Sequence, residues 1–263
     1  MLKFFEWLGT AILGFVGTTV LDLLRATGVF ALLLKHSIRY IPQVSIKETI
    51  KQMYKLGVQS LPIVSLTILF AGMVIAIQTS KEFVRFGAAA SAGGVVAIGM
   101  GRELVPVLTG VVIAGRVGSA IAAEIGSMKV TEQIDALKVM AVDPIAFLVT
   151  PRLLACALML PLLVVYGNVI GNLGGFFVAT SYAKISSYTY INSIRTFCTF
   201  GDMFGGVMKS IVFGVIVAVV GCYKGMNAEP GAEGVGKATI SSVVVSMILI
   251  FIFNYFLSIM IYV

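Results

Sequence analysis

Two adjacent ionisable residues, Arg102 and Glu103, interrupt a long apolar stretch and are followed by Pro106, which should kink a helix. Charged groups at membrane depth are costly, so they usually face a partner, a cavity or the interior of a bundle. Two roles follow for the pair. It is either an internal ion pair that fixes helix packing, or a polar spot in a ligand cavity near the outer half of the bilayer, opposite Gln78.

The segment Glu124–Asp143 is amphipathic and joins two apolar runs. Apolar residues recur at helical spacing on one side, and charged residues occupy another: Val130, Ile134, Leu137 and Ala141 against Glu132, Asp135 and Lys138. Thr131 is the predicted N-cap, with Glu132 in the first turn. Such a helix can lie on the lipid surface or dock in a groove of a soluble partner, and the pattern favours neither.

Conventional enzyme chemistry has few residues to work with. The only histidine is His36, and the three cysteines suit neither a disulfide framework nor a zinc site. Gly231, Gly236 and Lys237 match the G-x-x-x-x-G-K frame, but Ala238 stands where the Mg-binding Ser or Thr belongs. We therefore predict no catalytic residue, no metal site and no cofactor in this chain.

The composition predicts an all-α integral membrane protein. Of 263 residues, 59% are hydrophobic and 12% charged, and the mean hydropathy is +1.02. Ordinary globular domains contain about half apolar and about a quarter charged residues. The net charge of +7 comes from lysines and arginines scattered between apolar runs, which argues against nucleic-acid binding.

Five apolar stretches are long enough to cross the hydrocarbon layer as helices, which needs ~20 residues. They lie near 57–80, 86–123, 153–183, 207–224 and 238–263. The segment 124–143 between the second and third spans is the predicted cytoplasmic helix. Residues 51–263 thus form one membrane domain.

The N-terminal region, residues 1–50, contains an apolar stretch that is short for a span and is followed closely by basic residues. We predict that residues 1–40 form an amphipathic helix lying mostly in the membrane interface. An additional span is the alternative. The connections on the N-terminal side of the five spans carry twelve Lys and Arg residues against five on the other. The positive-inside rule then predicts a cytoplasmic N-terminus and an external C-terminus.

Small residues recur along the second span and just beyond it, and again along the third. They are Gly110, Ala114, Gly118, Ala122 and Gly126, then Gly167, Gly171 and Gly175. Small side chains allow helix backbones to approach closely in lipid. The pattern is consistent with packing inside one bundle or with a homodimer interface.

Five blocks in this order resemble the MlaE family, the permease subunits of bacterial ABC transporters that move phospholipid between the inner and outer membranes. The blocks are G-M-V-I-A-I-Q from Gly72, G-R-E-L-V-P-V-L-T-G from Gly101, A-G-R-V-G-S-A-I-A-A-E-I-G-S-M from Ala114, T-E-Q-I-D-A-L from Thr131 and M-A-V-D-P from Met140. The resemblance is dense over residues 50–160, and the length and span layout extend it to the whole chain.

The resemblance implies an assembly as well as a fold. The fold is an N-terminal interfacial (elbow) helix plus five transmembrane helices, and the chain is a homodimer in the bacterial inner membrane with a periplasmic C-terminus. Two copies of a cytoplasmic ABC ATPase, which would bind ATP and Mg, are implied below it, often with a small STAS-domain protein. A periplasmic MCE-domain ring is implied above it. The function implied is phospholipid transport that maintains outer-membrane lipid asymmetry.

The resemblance also assigns residues. Positions at or near the family's lipid-binding cavity correspond to Ile75, Gln78, Phe83, Phe86, Glu103 and Leu104, and Arg102 joins them as a head-group contact. The segment that resembles the ATPase-coupling helix contributes Glu124, Gly126, Met128, Thr131, Glu132, Gln133, Asp135, Leu137 and Met140. Two other classes remain: a channel or scaffold subunit without ATP-driven transport, and an intramembrane enzyme, for which Arg102 and Glu103 alone provide no reaction.

Overall fold

The computed structural model describes Gly28 and residues 30–262, and within these residues the chain is helical with no β-strand. The helices are α1 (residues 30–39), α2 (Ile46–Leu56), α3 (Leu61–Arg85), α4 (Ala92–Gly99), α5 (Val105–Ile113), α6 (Ser119–Val130), α7 (Gln133–Val139), α8 (Thr150–Ser181), α9 (Ser187–Phe197), α10 (Phe200–Met226) and α11 (Gly231–Tyr262). Most of the predicted interfacial helix over residues 1–40 lies outside the described residues.

Five continuous helical runs are long and apolar enough to span a membrane, which confirms the predicted fold class. They are Ile46–Arg85, Ala89–Val130, Ile145–Ser181, Phe200–Met226 and Gly231–Tyr262. Every run overlaps its predicted span. On the side that carries α7 each run is also longer than predicted, because hydropathy marks the lipid-immersed part of a helix and not its end.

The second span is interrupted twice by π-helical turns, at Met100–Leu104 and at Ala114–Gly118. A third π-helical turn, Ile145–Val149, opens the third span. Single π-helical turns inside α-helices often occur at functional sites. The first one contains Arg102 and Glu103 and ends two residues before Pro106, so the irregularity that the sequence predicts around this proline is a π-helical turn.

The predicted single helix over 124–143 is wrong. Helix α6 continues to Val130, where Gly126 packs against Ala228 and Val235, and the chain then turns at Glu132, whose φ is +57°. Glu132 occupies the N-cap position of α7, so the prediction of Thr131 as the cap is also wrong. The Thr131 hydroxyl instead donates to the carbonyl of Ser127 at 2.8 Å. The cap residue predicted from the local pattern thus differs by one position from the residue at which the chain turns.

Helices α3 and α8 run in the same direction and meet backbone to backbone. Gly72 lies against the backbone of Gly171, and Gly174 lies against the carbonyl of Leu69. Helix α10 is the central element of the other half of the bundle, where its Gly214 touches the backbone of Cys156 and its Gly225 touches that of Ala122. Close backbone approach of this kind supplies the dispersion contacts that hold helices together in lipid.

The small residues of the second span pack inside the chain. Gly110 lies near Phe213 and Ile250, and Gly118 lies near Val217 and Ser242. Of the two explanations that the sequence left open for this stripe, the structure shows internal packing. The glycines of the third span, which contact α3 and the first π-helical turn, have the same role.

Gly72→Ala should destabilise the protein, because the added methyl group would overlap the carbonyl group of Gly171 and force α3 away from α8. Overpacking of this kind typically costs 1–3 kcal/mol, that is, about 2 kcal/mol here. Thermal unfolding of the detergent-purified protein measures the effect. Gly99→Ala is the matched control, because nothing lies within 4 Å of its added methyl group. Equal melting temperatures for the two variants would contradict the close contact.

Candidate functional site

A cluster of charged side chains joins the first π-helical turn to the start of α10 and the end of α11. Arg102 donates from Nε to Oδ1 of Asp202 at 2.7 Å. The other oxygen of Asp202 accepts hydrogen bonds from the backbone N–H and the hydroxyl of Thr199, at 2.7 and 2.8 Å, in a capping box that begins α10. The arginine is therefore held by the same carboxylate that fixes the helix end.

Glu103 accepts three hydrogen bonds from two neighbouring helices. Lys209 of α10 donates at 2.7 Å, and Asn254 and Ser258 of α11 donate at 2.9 Å each. The side chain of Lys209 has no exposed surface. In a bilayer an ammonium group at this position is tolerated only with such partners. The lysine and the carboxylate thus fix the positions of three helical segments relative to one another.

Lys209 also stabilises the irregular backbone. Its ammonium group donates to the carbonyl of Arg102 at 3.0 Å. Pro106, four residues further along, has no N–H to offer this carbonyl. The lysine therefore satisfies a backbone acceptor that a regular helix would have satisfied itself.

Tyr262, near the end of α11, lies between the two cations of the cluster. The centre of its ring is 4.7 Å from the guanidinium carbon of Arg102 and 4.8 Å from the ammonium of Lys209. Its hydroxyl donates to the backbone carbonyl of Asp202 at 3.2 Å. Cation–π contacts strengthen when the cation is removed from water, as Lys209 is here.

Arg102 and Glu103 do not form an ion pair with each other. Each pairs with a residue of α10, and each keeps 39% of its side chain exposed. The cluster contains two cations and two carboxylates, so it is neutral overall. Its exposed surface belongs to Arg102 and Glu103, and no group of metal-ligating side chains occurs among the residues that the structure describes.

The other predicted cavity residues are spread along α3 and beyond its end. Ile75 and Leu104 are half-buried against the main core, and Phe83 packs in a smaller cluster around Tyr190. Gln78 is exposed, and Phe86 is 77% exposed. Within the described part of the chain, no hydrogen bond joins Gln78 to the charged cluster. One copy of the chain thus leaves Gln78 and Phe86 uncovered.

Sequence reasoning missed the partners of Arg102 and Glu103. The sequence places Asp202 before the predicted fourth span, Lys209 at its start, and Asn254 and Ser258 within the uncharged fifth span, and no local pattern joins them to Arg102 and Glu103. A signal was available, since Lys209 lies within an apolar run and Asn254 is a strongly polar residue in a span that carries no charge.

At the other end of the bundle, Glu124 joins three helices. Its carboxylate accepts from Lys55 of α2 at 2.9 Å and lies 3.2 Å from Arg152 of α8. The side chain of Arg152 is 5% exposed and also donates to the carbonyl of Leu148 at 2.7 Å. Glu124, predicted as part of the docking segment, therefore links the ends of the first three spans.

Helix α7 places its predicted apolar face inward. Ile134 is 4% exposed and Leu137 packs against the core, so the face expected to dock on a partner is used within the chain. Gly126 and Met128 likewise pack inside the bundle. Two large apolar side chains remain outside, Val139 at 87% and Met140 at 64% exposure. Thr131, Glu132 and Gln133 are also exposed.

The charged side of α7 is held together by two lysines. Asp135 accepts from Lys138 at 2.7 Å and from Lys129 at 3.2 Å. These hydrogen bonds, first that from Lys138, lower the pKa of Asp135 below its ordinary value. The carboxylate is therefore ionised at neutral pH, and the lysines tie α7 to the end of α6.

Five spans, a charged cluster at membrane depth and a short helix that projects between two spans define a polytopic membrane protein built around internal polar contacts. Comparison with known proteins then identifies its family. The family described as Permease MlaE matches residues 49–260, and the chain belongs to this family of ABC transporter permeases.

Three relatives show the extent of the similarity. A probable ABC transporter permease protein of Synechocystis is 48% identical over 212 residues, which cover 81% of each chain. One from Rickettsia typhi is 42% identical over 245 residues, covering 92% of this chain and 95% of the relative. The chloroplastic protein Trigalactosyldiacylglycerol 1 of Arabidopsis thaliana is 41% identical over 212 residues, covering 81% of this chain and 61% of the relative.

Lys209→Met should destabilise the bundle, because it leaves the carboxylate of Glu103 without a cation. Removing one partner of a buried pair costs 3–5 kcal/mol, and the partial exposure of Glu103 reduces this to about 2 kcal/mol. Unfolding of the purified protein in nanodiscs is the measurement. Lys237→Met is the control, since Lys237 pairs with Glu233 at the surface and is 64% exposed.

The double variant Lys209→Met with Glu103→Gln should regain part of the lost stability, because it removes the unpaired charge. If Lys209→Met unfolds at the same temperature as Lys237→Met, the ion pair does not hold the three segments together.

Proposed function

We propose that this chain is the permease subunit of an ABC transporter that moves phospholipids between the inner membrane and a periplasmic MCE-domain carrier, and so maintains outer-membrane lipid asymmetry. The observation that carries the proposal is the charged cluster around Arg102 and Glu103, open on one side, in a chain of the MlaE family. A phospholipid combines a charged head group with apolar chains. The cluster would contact the head group, and the apolar residues of the proposed cavity would contact the acyl chains.

The lipid cavity of the proposal forms between two copies of the chain. Ile75, Phe83, Phe86 and Leu104 would contact acyl chains, whereas Gln78, Arg102 and Glu103 would position the head group. The exposure of Gln78 and Phe86 supports this arrangement, because a second copy can cover them. Lipid would be moved by a difference in binding between two conformations, without covalent chemistry.

The energy for transport would come from two copies of a cytoplasmic ATPase, which would bind ATP and Mg in place of this chain. Helix α7 would dock on the ATPase through Val139 and Met140, which are exposed although they are apolar. Glu124 links the neighbouring helix ends to Lys55 and Arg152, so force applied at α7 would reach α2 and α8.

The remaining assembly follows from the same proposal. The lysines and arginines favour a cytoplasmic location for α7 and for the N-terminus, with the C-terminus in the periplasm. A STAS-domain protein would accompany the ATPase below, and the MCE-domain ring would receive or deliver lipid above. The name of the Arabidopsis relative refers to a glycolipid, which supports a lipid substrate.

A channel or scaffold subunit without ATP-driven transport is the alternative. Such a protein needs five spans but has no use for a projecting helix with exposed Val139 and Met140. Co-purification with an ATPase discriminates between the two, because only the transporter requires it.

Val139→Asp combined with Met140→Asp should abolish binding of the ATPase, because charges would replace the apolar contacts at the tip of α7. Co-purification and ATP-dependent lipid exchange between proteoliposomes measure this loss. Ala232→Asp, also exposed and on the same side of the bundle, is the control and should retain both activities. Full ATPase binding by the double variant would refute docking through this tip.

A photocrosslinking amino acid at Phe86 should capture phospholipid to an extent that changes when the assembled transporter hydrolyses ATP, because the cavity would change width. The same amino acid at Leu162, a 57% exposed position on α8, should capture surrounding lipid equally with and without ATP. Mass spectrometry of the adducts is the measurement. An ATP-independent yield at Phe86 would argue against the cavity.

A further inference from the structure

An apolar groove of about 350 Å³ lies between α8 and α9, on elements that form no part of the charged cluster. Its lining comes from Val169, Asn172, Leu173 and Phe176 of α8 and from Ile191 and Ile194 of α9. The only polar lining residue, Asn172, uses its amide N–H to donate to the carbonyl of Asn168 at 2.8 Å. The groove therefore presents an almost wholly apolar wall.

The groove exists because α9 is fixed on α4 rather than on α8. Gly93 allows the backbone of Tyr190 to approach α4, and the N–H of Gly94 donates to the hydroxyl of Ser193 at 2.9 Å. On the α8 side, the ring of Phe176 packs against that of Tyr190 with the centroids 5.9 Å apart. Next to this aromatic contact the two helices are further apart, and the space between them is the groove.

A row of exposed apolar side chains runs along α8 past the groove. Along the same face of α8, large apolar side chains are about half exposed: Val165 at 51%, Val169 at 57%, Leu173 at 55% and Phe177 at 61%. This row can only be accommodated by acyl chains or by another apolar partner. Ile191, 42% exposed, covers the groove from the α9 side.

The rim of the groove carries groups that suit a phosphate. Tyr188 and Arg195 lie three residues before and four residues after Ile191, so all three share one face of α9. Tyr188 is 79% exposed, and Arg195 is exposed as well. A guanidinium and a phenol next to an apolar slot form a surface complementary to an anionic head group joined to an acyl chain.

We propose that this groove binds one phospholipid of the leaflet that surrounds α9, with an acyl chain between α8 and α9 and its phosphate at Arg195. The site lies on the outside of the bundle and shares no residue with the cavity proposed around Glu103. It needs no ATP and no second copy of the chain. The groove can therefore prove empty while the transport proposal is correct, and it can bind lipid while the transport proposal is wrong.

The test uses the full-length protein in nanodiscs of phosphatidylethanolamine and phosphatidylglycerol, with a photocrosslinking amino acid at Ile191 and no ATPase present. Illumination should give an adduct with the mass of one phospholipid. Arg195→Glu should lower the adduct yield about tenfold, the effect of losing one hydrogen bond to a charged group. Arg85→Glu, the same charge change in the last turn of α3, should leave the yield unchanged.

A second pair of variants tests the apolar slot. Leu173→Trp fills the groove and should also reduce the adduct, whereas Leu162→Trp, at a position of similar exposure on α8, should not. Thermal unfolding confirms that each variant is folded. The proposal is overturned if no lipid is captured, if Arg195→Glu and Arg85→Glu give equal yields, or if Ile191 captures a polypeptide in the native membrane in place of lipid.

Discussion

The contact between the ammonium group of Lys209 and the carboxylate of Glu103 constrains how the first π-helical turn, α10 and α11 pack against one another. An isolated charge at this depth would cost several kcal/mol, so the two groups must meet, and the helices that carry them must meet as well. Asn254, Ser258 and the carbonyl of Arg102 complete the coordination. The irregular backbone before Pro106 is thus tied to α10 and α11 by polar contacts that the lipid cannot replace.

Much of the fold is predictable from the sequence because the bilayer imposes a simple length rule. Stretches of about 20 apolar residues must be helices, and this rule gives the five spans. Helix ends outside the hydrocarbon layer follow no such rule. The segment 124–143, predicted as one cytoplasmic helix, is divided between α6, which ends at Val130, and α7, which begins after Glu132.

The candidate site is likewise predictable in part: the sequence marks its first two residues but not their partners. Arg102 and Glu103 stand out because charges inside an apolar run are rare, yet their partners lie about 100 and 150 residues further along the chain. A partner at that separation is found only when the three-dimensional packing is known. Similarly, Leu137 has the spacing of an exposed docking face, but the turn at Glu132 rotates α7 so that Val139 and Met140 face outward instead.

The contact of Gly72 with Gly171 limits how the protein can change shape. Two helices that meet through side chains can slide, since the side chains adopt new rotamers, but two backbones in direct contact have no such layer between them. Helices α3 and α8 are therefore expected to behave as a single rigid body. Any hinge would then lie outside this pair, and the π-helical turn Ile145–Val149, which leads directly into α8, is irregular backbone next to it.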